Sequence, residues 1–389
     1  MYRTATIECR DADFLSWTPL GAAALQDQLE RTVLTLPPPA TGQPAAYADG
    51  EAYADSPELE TAFPFSSAIA SWSADTPEGS ALEILLRTRS GGLWSSWFSM
   101  GLWASGDRAY ARHSVAGQSD ALGKVDTDTL NLYAPADALQ ARVRLLSADA
   151  RALPSLSRLV LAYSQPKPAP ARSGGGSAAA GDAATGDAAA AAQPEGATPP
   201  AWVGELAGVP RCSQMVYPDG GKVWCSPTCV AMILSYWRGR AGTCEAAIRD
   251  AVRGVYDGVF DGYGNWSFNA AYAAAQGYEA CVARFPSLSA LTPWLKAGVP
   301  LALSVSWNND EGRALSGAPL AKSSGHLTLL VGFDAAGDPI MHEPAAPSDG
   351  EVRRTYRRAE LEGRWLSASG GACYLIYPRG HAVPAFGRP

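Results

Sequence analysis

Between residues 165 and 200 the chain reads QPKPAPARSGGGSAAAGDAATGDAAAAAQPEGATPP, a run of Ala, Gly, Pro and Asp with almost nothing to bury. A stretch of that composition cannot offset the entropy of ordering its backbone, so any stable core must form on either side of it. The 389-residue chain is thereby divided into a domain over residues 1–164, a linker over 165–200, a second domain over 201–380 and a tail over 381–389. Each half is long enough for its own core. As a flexible tether the linker spans roughly 30–35 Å, enough for the halves to move independently unless they dock.

The first half shows short alternating runs separated by turns. In Leu82-Glu83-Ile84-Leu85-Leu86-Arg87 the apolar side chains at 82, 84 and 86 share one face, the period of a half-buried strand. Ser90-Gly91-Gly92 turns that strand into Trp94-Ser95-Ser96-Trp97-Phe98. Ala141 to Leu145 alternates again, and Arg158 to Tyr163 reads as a last strand. These features predict an antiparallel all-β sandwich of jelly-roll type. Trp72, Trp94, Trp97 and Trp103 cluster in sequence and read first as core aromatics. The alternative is a sugar-stacking surface, for which a carbohydrate or cell-surface ligand would be the partner.

In the second half, helix and strand signals alternate, giving an α+β domain. Cys244 to Val252, Phe268 to Ala275 and Ser289 to Ala297 read as helices, and Pro300 to Ser306 as a strand. The strongest local signal is Trp224-Cys225-Ser226-Pro227, which opens the apolar run that ends at Trp237. Proline is tolerated in a first helical turn, Ser226 is read as the capping residue, and the helix is apolar enough to be central. A cysteine at that helix start sits in the positive end of the helix dipole, which favours its thiolate. Taken alone, Cys225 reads first as a small core residue, the reading also assigned to Cys229 one turn later.

Downstream, Ser324-Gly325-His326 leads into the strand Leu327 to Phe333, and a turn near Ala335 or Ala336 returns the chain through Pro339-Ile340-Met341-His342-Glu343-Pro344. That hairpin sets residue 326 opposite a residue near 344 and makes His326 and Glu343 neighbours. A thiol, an imidazole and a carboxylate are what acyl transfer through cysteine requires. His342 competes as base, and strand alternation puts His342 and Glu343 on opposite faces without saying which face meets Cys225.

Several classes are excluded or discounted. The net charge of −7 gives no reason to expect nucleic acid. No apolar run approaches the roughly eighteen residues of a membrane span, and the first residues lack a signal peptide's apolar core, so the chain as given reads as soluble with its compartment open. Seven cysteines, an odd number, show no zinc spacing. Gly220-Gly221-Lys222 lacks the rest of a phosphate loop, and His342-Glu343 lacks the second histidine of a zinc-protease helix. Arg353, Arg354, Arg357 and Arg358 read as a solvated face paired with Glu360 and Glu362. No metal or cofactor is expected.

The second half resembles the papain-fold cysteine peptidases of the bacteriocin-processing type, family thirty-nine of clan CA, in their stand-alone peptidase-like branch. The residues that carry the resemblance are Val209-Pro210 with Gln214, Trp224-Cys225-Ser226-Pro227-Thr228, Gly325-His326-Leu327 and Glu343-Pro344-Ala345, within roughly residues 207 to 378. The first half resembles the N-terminal half of actinobacterial-type proteins carrying this pair of domains. The resemblance implies Cys225 as nucleophile, His326 as general base and Gln214 as side-chain donor of an oxyanion hole completed by the Cys225 N–H. It also implies Glu343 as orienting group, at a position that usually holds Asp or Asn. The expectation is a cysteine peptidase or amidase acting on a peptide or protein substrate. The alternatives are an inactive papain-fold peptide-binding module with a glycan- or surface-binding sandwich, and a transferase using the same acyl-enzyme.

Overall fold

The structure is a computed structural model that describes residues 2–37, 52–106, 108–148, 152–165, 202–239 and 243–385. The stretch read as a linker lies outside the described residues apart from Gln165.

The first half is all-β, as its alternation requires. The strands that frame it are β1 (Arg3–Arg10), β2 (Leu59–Asp75), β3 (Ser80–Ser90), β4 (Phe98–Trp103), β5 (Thr129–Ser147) and β6 (Ser155–Gln165). β5 turns the corner of the sandwich. Its first part pairs with β2 and its second part with β3, with register breaks around Ala136 that let the strand bend between layers. Ala141, Val143 and Leu145 are fully buried and the intervening Arg142 and Arg144 point out, the pattern read from sequence.

Gly91 and Gly92, both at positive φ, form the two-residue hairpin loop after β3. The strand that follows is not continuous, however. Leu93–Trp94 pairs briefly with β3, and the chain breaks before β4 begins at Phe98.

The second half folds as a sheet with helices. Its strands are β7 (Tyr278–Arg284), β8 (Leu301–Asn308), β9 (Lys322–Phe333), β10 (Pro339–His342), β11 (Arg353–Thr355) and β12 (Ala372–Pro378), in spatial order β7-β12-β8-β9-β10-β11. The helices are α1 (Cys225–Trp237), α2 (Cys244–Val255), α3 (Trp266–Ala275), α4 (Thr292–Lys296) and α5 (Arg358–Ser369). The run from Ser226 to Leu234 is buried throughout, so α1 is the central helix its composition demanded. It lies against β8, β9 and β12.

The two halves dock. Helix α3 packs on β2, with Phe268 edge-on to Trp72 at 6.2 Å and tilted against Trp103 at 5.7 Å. Ser267 Oγ donates to the Ala70 carbonyl at 2.6 Å, and the Val282 N–H donates to Ser71 Oγ at 2.9 Å. Arg158, buried on β6, bridges Glu8 of its own half and Glu279 on β7. Trp72 and Trp103 are therefore core residues of the junction. Trp94 and Trp97 stay half-buried at the surface, where the Arg87 guanidinium lies over both rings and Arg142 lies over Trp97.

The arginine run of the second half is dispersed. Arg353 pairs with Glu205, Arg357 with Glu360, and Arg358 covers the Phe333 ring, while Glu362 accepts from the Leu288 N–H. Among the described residues no helix is long and apolar enough to cross a membrane.

Candidate active site

Helix α1 begins at Cys225 itself, with Trp224 at the N-cap position. The expectation that Ser226 caps the helix is corrected: it is the second helical residue, and its Oγ is hydrogen-bonded to the Tyr374 hydroxyl on β12 at 2.8 Å. Burial of the first turn from Ser226 onward explains this, because a hydroxyl enclosed there must find a partner in the sheet beneath it. Cys225 keeps a partly open face, whereas Cys229 is fully buried.

Burial pushes the Cys225 thiol up, but the hydrogen bond and charge of His326, with the Leu327 N–H donating to the sulfur, outweigh it and hold the thiol below its ordinary 9.0. Cys229, buried without such partners, is pushed well above. The same pairing acts on the base. Burial pulls His326 down, and Glu343 and Cys225 together raise it from 6.5 to about 10. The thiol and imidazole thus favour a thiolate–imidazolium pair.

The ring is fixed from both sides. His326 Nε2 donates to Glu343 Oε1 at 2.5 Å, leaving Nδ1 for the sulfur. Trp307, buried on β8, stands edge-on to the imidazole at 5.3 Å between centroids. Glu343 is 0 % exposed and accepts three hydrogen bonds, from His326, from the Ala345 N–H at 2.9 Å and from the Tyr356 hydroxyl at 3.0 Å. Despite the burial, these donors and the imidazolium keep it ionised, its pKa below the ordinary carboxylate value. The extra methylene of glutamate is therefore no source of looseness here.

The hairpin between β9 and β10 is centred on Ala336, and Leu329 pairs with His342. Just past the end of β10, the Glu343 side chain reaches His326. His342 belongs to a different environment: its Nδ1 is hydrogen-bonded to the Pro210 carbonyl at 2.8 Å, and burial draws its pKa down to about 4.

Gln214 is buried beside the turn that leads to Cys225. Its N–H donates to the Pro344 carbonyl at 2.8 Å, tying it to the residue after Glu343. A Cβ at Gly221 would lie 1.9 Å from the Gln214 carbonyl, so only glycine allows the two turns to approach this closely. The Gln214 side chain makes no hydrogen bond within the site, and its Oε1 is buried without a partner.

Sequence reasoning missed several supports. Tyr356 and Trp307 carry no local signal, since each reaches the site only through sheet packing. The disulfide between Cys212 and Cys244 was also missed. It ties the segment bearing Gln214 to the start of α2, and a sequence separation of 32 in an odd cysteine set gave no hint of pairing.

Residues 206–373 match the model of the Peptidase C39 like family, and residues 6–164 match the Peptidase C39 N-terminal domain. No curated protein matches the sequence. Among solved structures, the chain aligns with the CBM22-1-GH10 modules of endo-1,4-beta-D-xylanase 10B from Clostridium thermocellum at 8% identity and a TM-score of 0.25, covering 43% of this chain and 30% of that one. A family two carbohydrate esterase from Cellvibrio japonicus aligns at 12% identity and 0.19, covering 43% and 37%. A carbohydrate-binding module of the beta-sandwich superfamily aligns at 14% and 0.18, covering 42% and 54%. The chain thus spans about a third to a half of the length of these structures, and alignments this loose establish no shared function.

Proposed function

We propose that the protein is a cysteine peptidase or amidase working through an acyl-enzyme at Cys225, a reading supported by the match of residues 206–373 to the Peptidase C39 like family and of residues 6–164 to the Peptidase C39 N-terminal domain. The observation that carries the reading is the unbroken chain of contacts from the Cys225 thiol through His326 to the buried, triply held Glu343.

In this mechanism the Cys225 thiolate attacks the carbonyl carbon of a peptide-type bond, and the carbonyl π electrons move to oxygen. The Cys225 N–H at the start of α1 and the Gln214 amide N–H are the donors assigned to that oxyanion. As the tetrahedral species collapses, the C–N bond breaks and the His326 imidazolium gives its proton to the departing amine, leaving a thioester. Water then adds to the thioester while His326 accepts its proton. The C–S bond breaks, the acid is released and the ion pair is restored. Glu343 holds the ring so that Nδ1 faces the sulfur, and its charge stabilises the imidazolium throughout.

The test is trapping. With an activated peptide ester as probe, intact-mass spectrometry is expected to show one acyl group on Cys225, and iodoacetamide is expected to label Cys225 before Cys9, Cys229, Cys281 and Cys373. An acyl adduct that persists in Cys225→Ala, or equal labelling of all five thiols, sinks the assignment. The alternatives respond differently: a peptide-binding module without turnover forms no adduct, and a transferase passes the acyl group to an added amine in preference to water.

A further inference from the structure

The docking of the two halves encloses a cleft, lined by residues other than Cys225, His326 and Glu343, that the chemistry above does not use. It has a volume of about 490 Å³, within the roughly 300–1,000 Å³ of small-molecule sites. The sandwich contributes one wall, including Ser67, Ser164 and Asp128, and the second domain contributes the other, including Trp266, Arg284 and Ala368.

Two buried polar groups lining this cleft lack hydrogen-bond partners. Arg284, 9 % exposed, donates from Nη1 to Ser164 Oγ at 2.5 Å, but its Nε is unpartnered. The hydroxyl of Ser67, which sits directly opposite Ser164 across β2 and β6, is unpartnered too. A guanidinium taken out of water with a free N–H and, among the described residues, no direct ion pair is costly. Groups left in this state at the wall of an open cleft are what a ligand carboxylate satisfies, with Arg284 supplying a planar, permanently charged fork.

The opposite wall carries the complementary charge. Asp128 is 6 % exposed, and its carboxylate accepts from the Trp266 N–H and from Thr129 Oγ1. Burial pushes the Asp128 carboxyl up to about 6, against its hydrogen bonds from Trp266 and Thr129 and the charge of Arg284, which pull the other way. The lining of the cleft therefore includes a cation from one domain and an anion from the other.

We propose that this interdomain cleft is a binding site for a short peptide with free termini, its carboxylate on Arg284 and Ser67 and its ammonium group towards Asp128. Because each domain supplies one pole, ligand in the cleft binds the docked arrangement and stabilises it over an undocked one.

The experiment titrates Ala-Ala-Ala, its C-terminal amide and its N-acetyl form into the full chain carrying Cys225→Ala, which removes turnover as a source of heat, by isothermal calorimetry. Saturable binding of the free peptide is expected, weakened tenfold or more by amidation, by Arg284→Gln and by Ala368→Trp, which places an indole at the exposed rim; Arg284→Lys retains part of the affinity. N-acetylation weakens binding less than amidation does. Should Arg284→Gln fail to fold, the amide and the Ala368→Trp variant decide alone. Absence of millimolar binding, equal binding of peptide and amide, or binding that survives Ala368→Trp overturns the proposal.

Discussion

Two histidines in one sheet, His326 on β9 and His342 on β10, are both buried and both lie near a glutamate, yet they are driven in opposite directions. His326 rises to about 10, and His342 falls to about 4. The difference lies in contact. Glu343 is fully desolvated and hydrogen-bonded to His326 at 2.5 Å, whereas Glu205 stands 3.8 Å from His342, is partly exposed, and is opposed by Arg211. Burial alone makes an imidazole neutral, and a carboxylate buried with it reverses the outcome. Only the first arrangement keeps a thiolate company.

The comparison breaks outright if Cys225→Ala retains amide hydrolysis; the expected loss is about 10⁴-fold or more in kcat/KM. Glu343→Gln sharpens it, because the amide keeps the shape and removes the charge. His326 is then expected to fall from about 10 towards ordinary imidazole values in an NMR titration, with kcat down by about 10²–10⁴-fold. An unchanged His326 titration would mean that Glu343 does not set its protonation.

The third prediction concerns the segment that serves both sites. Its Pro210 carbonyl accepts from His342, Cys212 is cross-linked to Cys244, and the Gln214 N–H holds Pro344. Cys244→Ser is expected to cost about 3–4 kcal/mol in denaturant unfolding, from the loop the disulfide closes. A loss below about 1 kcal/mol would leave the tether without energetic weight.

The smallest effect separates the histidines by pH. Because the folded-state pKa of His342 is depressed, the unfolded chain binds a proton that the folded chain refuses between pH 6.5 and about 4. Stability therefore falls as pH falls through that window, by about 3 kcal/mol in all. His342→Gln is expected to flatten this limb of the stability curve while leaving kcat/KM within about twofold. A tenfold loss of activity would return His342 to the list of bases.

Much of the site was legible because its parts lie at element ends with local signatures. The proline after Ser226 marks the mouth of α1, and the strand-turn-strand pattern from Leu327 to Ile340 brings Glu343 near His326 by register alone. The cap assigned to Ser226 misplaced the helix start by two residues, since cap preference is local and Ser226 answers to Tyr374 from the sheet below. The tryptophans of the first half show the same limit. Alternation distinguishes in from out, but not that Trp72 and Trp103 would meet Phe268 from the other half.

By itself the sequence determined where cores are possible, which segments alternate and where a thiol meets a helix start, because these follow from the spacing of residues near one another along the chain. Which of His326 and His342 is charged, how Glu343 is held by Tyr356 and Ala345, that Cys212 finds Cys244 and that docking encloses a cleft were decided by tertiary structure alone. Each depends on desolvation and contact between distant segments, and the chain acquires those only once it has closed.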